Sequence, residues 1–224
     1  MAVVSPVSYR LTVAALLVLT FATGLVDAIS VLVLGHVFVA NMTGNVIFLG
    51  FWLVPHSGVD LTAAAVAFVS FLLGVIIGGR LIRTLGHEPR RWITIALCGE
   101  VVALVTLACL AGAGVLQYQG RGRLILIVGL AMVFGSQSVA ARQFGIQELS
   151  TTVLTATIVG IGMDSRLAGG TGEREKLRYA VVLTMCGGAV VGATLSRFVV
   201  APVIALAALT VAAGLAIFRY GRPG

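Results

Sequence analysis

The sequence predicts an all-α membrane protein: six transmembrane helices plus two re-entrant half-helix hairpins, arranged as an inverted internal repeat of three spans and three. Three observations lead there: an apolar composition, a polar stretch stranded between apolar runs, and motifs that recur half a chain later. Of the 224 residues, 59% are hydrophobic and 10% charged, whereas a soluble domain carries roughly 25% charge. An ordinary water-soluble domain is excluded, and residues 1–224 are expected to form a single transmembrane domain. The net charge of +7 comes from basic residues spread between apolar runs rather than gathered in one tract. That argues for orientation in a lipid bilayer and against a nucleic-acid partner. Cys98, Cys109 and Cys186 lie inside apolar runs without Cys-x-x-Cys spacing, and His36, His56 and His87 are scattered near segment ends. Neither a disulfide framework nor a metal site is signalled, and no cofactor is expected.

In order, the apolar segments are 11–34, 37–54, 61–82, 92–113, 124–141, 149–163, 179–195 and 198–218. Most approach the ~20 residues that a crossing needs. The first follows an Arg10-containing head but outlasts the apolar core of a signal peptide, about 15 residues at most, so it is kept as a span. The second contains the stretch on which the topology turns, Phe38-Val39-Ala40-Asn41-Met42-Thr43-Gly44-Asn45-Val46-Ile47-Phe48-Leu49. Hydrocarbon offers no water to amides and hydroxyls, so such a cluster survives at depth only where protein buries it or it lines a cavity. Residues 37–42, if extended, advance about 20 Å, and a helix over 43–54 returns about 18 Å. Either leg is close to half of a ~30 Å core, which predicts a re-entrant hairpin whose helix starts near the midplane. The segment 149–163 is likewise short, and it carries Thr151, Thr152, Thr155 and Thr157. It is expected to form the second half-helix. Trp52 and Trp92 are expected to be interface anchors.

Basic residues test this topology. With both short segments re-entrant and the N-terminus cytoplasmic, only Arg121, Arg123 and Arg197 lie outside. Letting every segment cross puts the Arg80 to Arg91 cluster outside; a seven-crossing version, with 37–54 spanning as well and the N-terminus outside, stays open. Both termini are expected in the cytoplasm.

The halves match as repeat 1, about 10–114, and repeat 2, about 122–220. Thr23-Gly24-Leu25-Val26-Asp27 answers Phe134-Gly135-Ser136-Gln137-Ser138, and Met42-Thr43-Gly44-Asn45-Val46 answers Leu154-Thr155-Ala156-Thr157-Ile158. Gly74-Val75-Ile76-Ile77-Gly78 answers Gly188-Ala189-Val190-Val191-Gly192. Three crossings per half is an odd number, so the copies must be inverted, as in secondary transporters whose discontinuous helices meet at a solute site. The Gly-x-x-x-Gly pairs predict close helix approach, either between the halves or at a homodimer seam.

Gly24-Leu25-Val26-Asp27-Ala28 followed by Phe38-Val39-Ala40-Asn41-Met42-Thr43-Gly44-Asn45 resembles the YoaK family of bacterial integral membrane proteins, which carry a domain of unknown function. Gln137 to Arg142 followed by Thr151-Thr152 and Thr155 is similar to the family's second block, with Thr155-Ala156 where Thr-Gly is expected. The resemblance covers most of the chain. It implies a bacterial cytoplasmic (inner) membrane protein of about six spans and supplies no reaction or substrate.

Chemistry must therefore come from the residues. The two half-helices would offer unpaired N–H groups and the positive ends of their dipoles, which suit an anion or a carbonyl. Asn41, Thr43, Gly44, Asn45, Gln137, Thr151, Thr152, Thr155 and Thr157 are the candidate substrate-binding residues. The plainer alternative is that these groups cap the hairpins and satisfy each other. Asp27 is either a coupling site or a structural acceptor for N–H groups of the Asn41 turn; Glu100 is either a second coupling group or the partner of Arg80 or Arg142. Arg142 itself either snorkels to the interface or attracts an anion. The expected function is a transporter moving a small polar or anionic solute by alternating access around the paired hairpins. A substrate-binding membrane subunit and a passive channel are the rivals. An enzyme is not expected, because no His-Asp, Ser-His or metal-ligand cluster falls at depth.

Overall fold

A computed structural model describes residues 5–54, 58–85, 87–144, 146 and 154–223. Each long apolar window becomes a helix, because in hydrocarbon a helix satisfies its backbone within one segment. The long helices are α1 (Tyr9–Leu32), α3 (Leu61–Leu85), α4 (Pro89–Gly112), α5 (Gly120–Gln143), α7 (Glu175–Ser196) and α8 (Ala201–Tyr220). Two short ones interrupt the series, α2 (Met42–Leu49), continued by a 3-10 turn Gly50–Leu53, and α6 (Leu154–Met163). Prolines stand in the first turns of α4 and α8, where the missing N–H costs nothing. Among the described residues six helices are therefore long and apolar enough to cross a membrane.

The direction of each helix follows from a few polar contacts. Arg90, at the start of α4, donates to the carbonyl of Pro6 and, at 2.6 Å, to that of Gly221. The start of α1, the start of α4 and the end of α8 thus share one end of the bundle. At the other end Arg123, in the first turn of α5, is bonded to Asp60, just before α3. Gly35, just after α1, lies so close to Arg123 that a Cβ there would meet the guanidinium at 2.9 Å. The chain therefore leaves α1 and enters α3 beside the same side chain, and α2 lies within that excursion.

Glycines set the closest crossings. Along α1 and α7, Cβ atoms at Gly24, Gly188 and Gly192 would run into the backbones of Met185, Phe21 and Leu25. Along α3 and α5, the same holds for Gly74 against Met132, Gly135 against Phe71 and Gly78 against Ser136. One turn on, the Phe21–Gly188 contact is followed by Leu25–Gly192, and Gly74–Met132 by Gly78–Ser136, so each pair is parallel. Without side chains at these points, backbones approach closely enough to gain dispersion contacts that lipid cannot replace. Both Gly-x-x-x-Gly pairs are consumed inside the chain, between helices of different halves, rather than left as a seam for a second copy. The remaining extensive helix contacts pair α4 with α8 and α1 with α8.

Trp92 departs from expectation. It is fully buried and stacks on Phe144 (ring centroids 5.8 Å), which stacks on Phe218 (5.1 Å). Rings from α4, the end of α5 and α8 form one apolar stack, so Trp92 is a core residue. Trp52, by contrast, is exposed.

Candidate functional site

Asp27 faces inward on α1, roughly a turn and a half before its C-terminal end, about 8 Å short of it. Residues 33–41 leave the helix, fold back and bring their N–H groups to this carboxyl. Asp27 Oδ1 accepts from the backbone N–H groups of Val39 and Ala40, both at 2.9 Å, and Oδ2 accepts from Asn41 Nδ2. Asn45, fully buried on α2, spans the same turn: its Oδ1 accepts from the Phe38 N–H at 2.9 Å, and its Nδ2 donates to the Phe38 carbonyl at 2.6 Å. These bonds satisfy backbone groups that a buried irregular segment would otherwise leave orphaned. They also show why the stretch needs Asp, Asn and Asn rather than any polar residues: the turn requires acceptors for N–H groups and one amide that both donates and accepts.

The location differs from expectation in two ways. First, α2 begins level with Asp27, nearer one end of α1 than its centre, instead of at mid-depth. Second, α2 packs on α3 and α6 packs on α7, and no comparable packing joins α2 to α6 among the described residues. The chain's own carboxyl sits at the start of α2, where a small polar or anionic solute was expected. Gly44 serves Phe38, whose ring would overlap a Cβ there. Thr43 is exposed, as is Thr155; Thr157 is buried at the position that answers Asn45. Thr151 and Thr152 lie outside the described residues. Arg142 is exposed in the last turn of α5.

A second polar cluster lies deeper. Glu100 is at the middle of α4 and only 3% exposed. Neither Arg80 nor Arg142 pairs with it, because the register of α4 turns the carboxyl toward α5. There Gln137 Nε2 donates to Glu100 Oε2 at 3.2 Å, and Gln137 Oε1 lies 3.5 Å from Thr23 Oγ1. Glu100 Oε1 is buried without a hydrogen-bond partner. A cleft of about 580 Å³ between α3, α4 and α5 adjoins it, with Glu100, Ser136 and Thr84 among mainly apolar walls and Arg80 at its exposed side. The structure thus brings together Gln137 and Glu100 from the candidate residues and adds Thr23, which the sequence offered only as part of a repeated motif. Among the described residues no group of three or more His, Cys, Asp or Glu side chains is placed to hold a metal.

Long apolar helices closed by polar ends, with carboxyls sealed among them, define a polytopic helical membrane protein. The chain belongs to the DUF1275 family, described as "Protein of unknown function (DUF1275)", which matches residues 15–217. It is 34% identical over 195 residues to the UPF0700 transmembrane protein YoaK of Bacillus subtilis (strain 168), covering 82% of this chain and 83% of that relative. No solved structure matches the chain.

Proposed function

We propose that this protein is a transporter of a small polar solute in the bacterial cytoplasmic membrane, working by alternating access of two inverted halves. One observation carries the reading: an acidic side chain in mid-helix that lines a cleft, with one oxygen bonded to Gln137 and the other buried without a hydrogen-bond partner. Ionisable groups at such depth are costly and mark solute or proton pathways in membrane proteins. Glu100 is the coupling group in this scheme, and Asp27 belongs to the architecture that holds α2.

Supporting observations concern the repeat. By motif, α1, α3 and α4 correspond to α5, α7 and α8, and the members of each pair run in opposite directions. The α1 to α7 glycine crossing recurs as the α5 to α3 crossing. Arg123, beside both Gly35 and Asp60, supports reading residues 33–54 as a re-entrant hairpin. The end with Arg83, Arg90, Arg91, Arg219 and Arg222 outweighs in charge the end with Arg121, Arg123 and Arg197, which favours cytoplasmic termini. Backbone-close pairs α1–α7 and α3–α5 are suited to move as rigid units, with the α4–α8 contact between them accommodating the motion.

Proteoliposomes on a solid-supported membrane, challenged in turn with small amines, amides and polyols, test the reading. Solute-evoked currents that saturate are expected, and Glu100→Gln should abolish them. No evoked current for any solute, or currents undiminished in Glu100→Gln, would overturn it. A current that never saturates would instead favour a passive channel.

A further inference from the structure

We propose that the cleft between α3, α4 and α5 is a binding site for an organic ammonium with an apolar body, its N–H groups bonded to Glu100. The inference deepens the transport reading by giving the solute a chemical class, and it stands on four features of the cleft. Its single buried acidic group, Glu100, has one oxygen without a donor while the other takes one bond, 3.2 Å from Gln137. A buried acceptor left open has lost its water without gaining a partner, so a donor that enters the cleft regains what burial took away. An ammonium supplies three N–H groups and a compensating charge. Among the described residues no ion pair joins Glu100 to Arg80, the only cation in the wall, so the carboxyl is not already neutralised from within.

The second feature is shape. The walls are Ile77, Leu81, Ile95, Ala103, Met132 and Val133, which match a hydrocarbon body rather than a hydrated metal ion. The third is Gly99, which lines the cleft next to Glu100 and where a Cβ would meet nothing within 4 Å. The fourth is contrast with the start of α2. There a carboxyl with three donors from its own chain is complete, so the α2 turn carries no vacancy for a ligand, whereas Glu100 does.

Benzylammonium, with benzyl alcohol as its neutral counterpart, is the probe, measured by equilibrium dialysis on the full chain in nanodiscs. Saturable benzylammonium binding is expected, at least tenfold tighter than benzyl alcohol. Glu100→Gln should weaken it at least tenfold. Gly99→Leu, which grows into open space and leaves Glu100 in place, should abolish it while thermal unfolding and elution volume stay as in the wild type. Equal binding of the alcohol and the ammonium, or binding indifferent to both substitutions, would overturn the proposal and leave an apolar cleft filled by lipid. So would the absence of saturable benzylammonium binding. Glu100-dependent binding without solute-evoked current would sink the transport reading and leave the site standing. Current evoked by other solutes without ammonium binding would do the reverse.

Discussion

Asp27 and Glu100 are both carboxyls sealed inside the helix bundle, 6% and 3% exposed, yet they are finished differently. Asp27 receives three donors, two from backbone and one from Asn41, and both its oxygens are used. Glu100 receives one donor, keeps one buried oxygen without a partner and lines a cleft. A buried polar network that is complete rigidifies the fold, and one that is incomplete stays costly until something else completes it. Burial and polarity alone therefore do not identify a functional residue; the count of satisfied bonds separates these two.

Substitutions can break or sharpen that contrast. Asp27→Ala should have the largest effect: it strands the N–H groups of Val39 and Ala40 and the Asn41 amide, for a loss of about 3 kcal/mol or more. Reversible SDS titration of the purified protein measures it, and a loss near zero would mean the turn is held by something else. Gly188→Val should cost about 1–3 kcal/mol by forcing α7 off the Phe21 carbonyl, read by the same titration. Glu100→Gln should change stability by under about 1 kcal/mol, because the amide oxygen still accepts from Gln137 and a neutral amide is no costlier to bury than an acid whose other oxygen already lacks a partner. A carboxyl that mattered only for folding would behave like Asp27 instead. Thr43→Ala, at an exposed position of α2, should fall within about 0.5 kcal/mol. Solute-evoked currents should likewise be unchanged in that variant, since the exposed Thr43 lies away from Glu100 and its cleft.

Much of the turn before α2 was legible in the residues. Polar groups at 41–45 amid apolar runs demanded burial, and Asp27 as acceptor for the N–H groups of the Asn41 turn was one of the two roles open to it. Depth was harder. The extended-plus-helix estimate places the start of α2 at mid-depth, but residues 33–41 bend to serve Asp27, so the chain spends its length on the turn rather than on penetration. Trp92 follows two arginines and so resembles an interface anchor; only the arrival of Phe144 and Phe218, distant in sequence, makes it core. An arginine partner for Glu100 was a guess from charge, whereas the actual partner, Gln137, depends on how α4 and α5 are rotated about their axes.

By itself the sequence determined the membrane class, the six long helices, the two short ones and the glycines where backbones meet, because hydrocarbon imposes length and apolarity on each segment independently. Only the tertiary structure decided which carboxyl is closed and which is open. That choice rests on the mutual rotation and depth of α1, α4 and α5, and a nearly uniform apolar surface leaves almost no trace of such rotation in the order of residues.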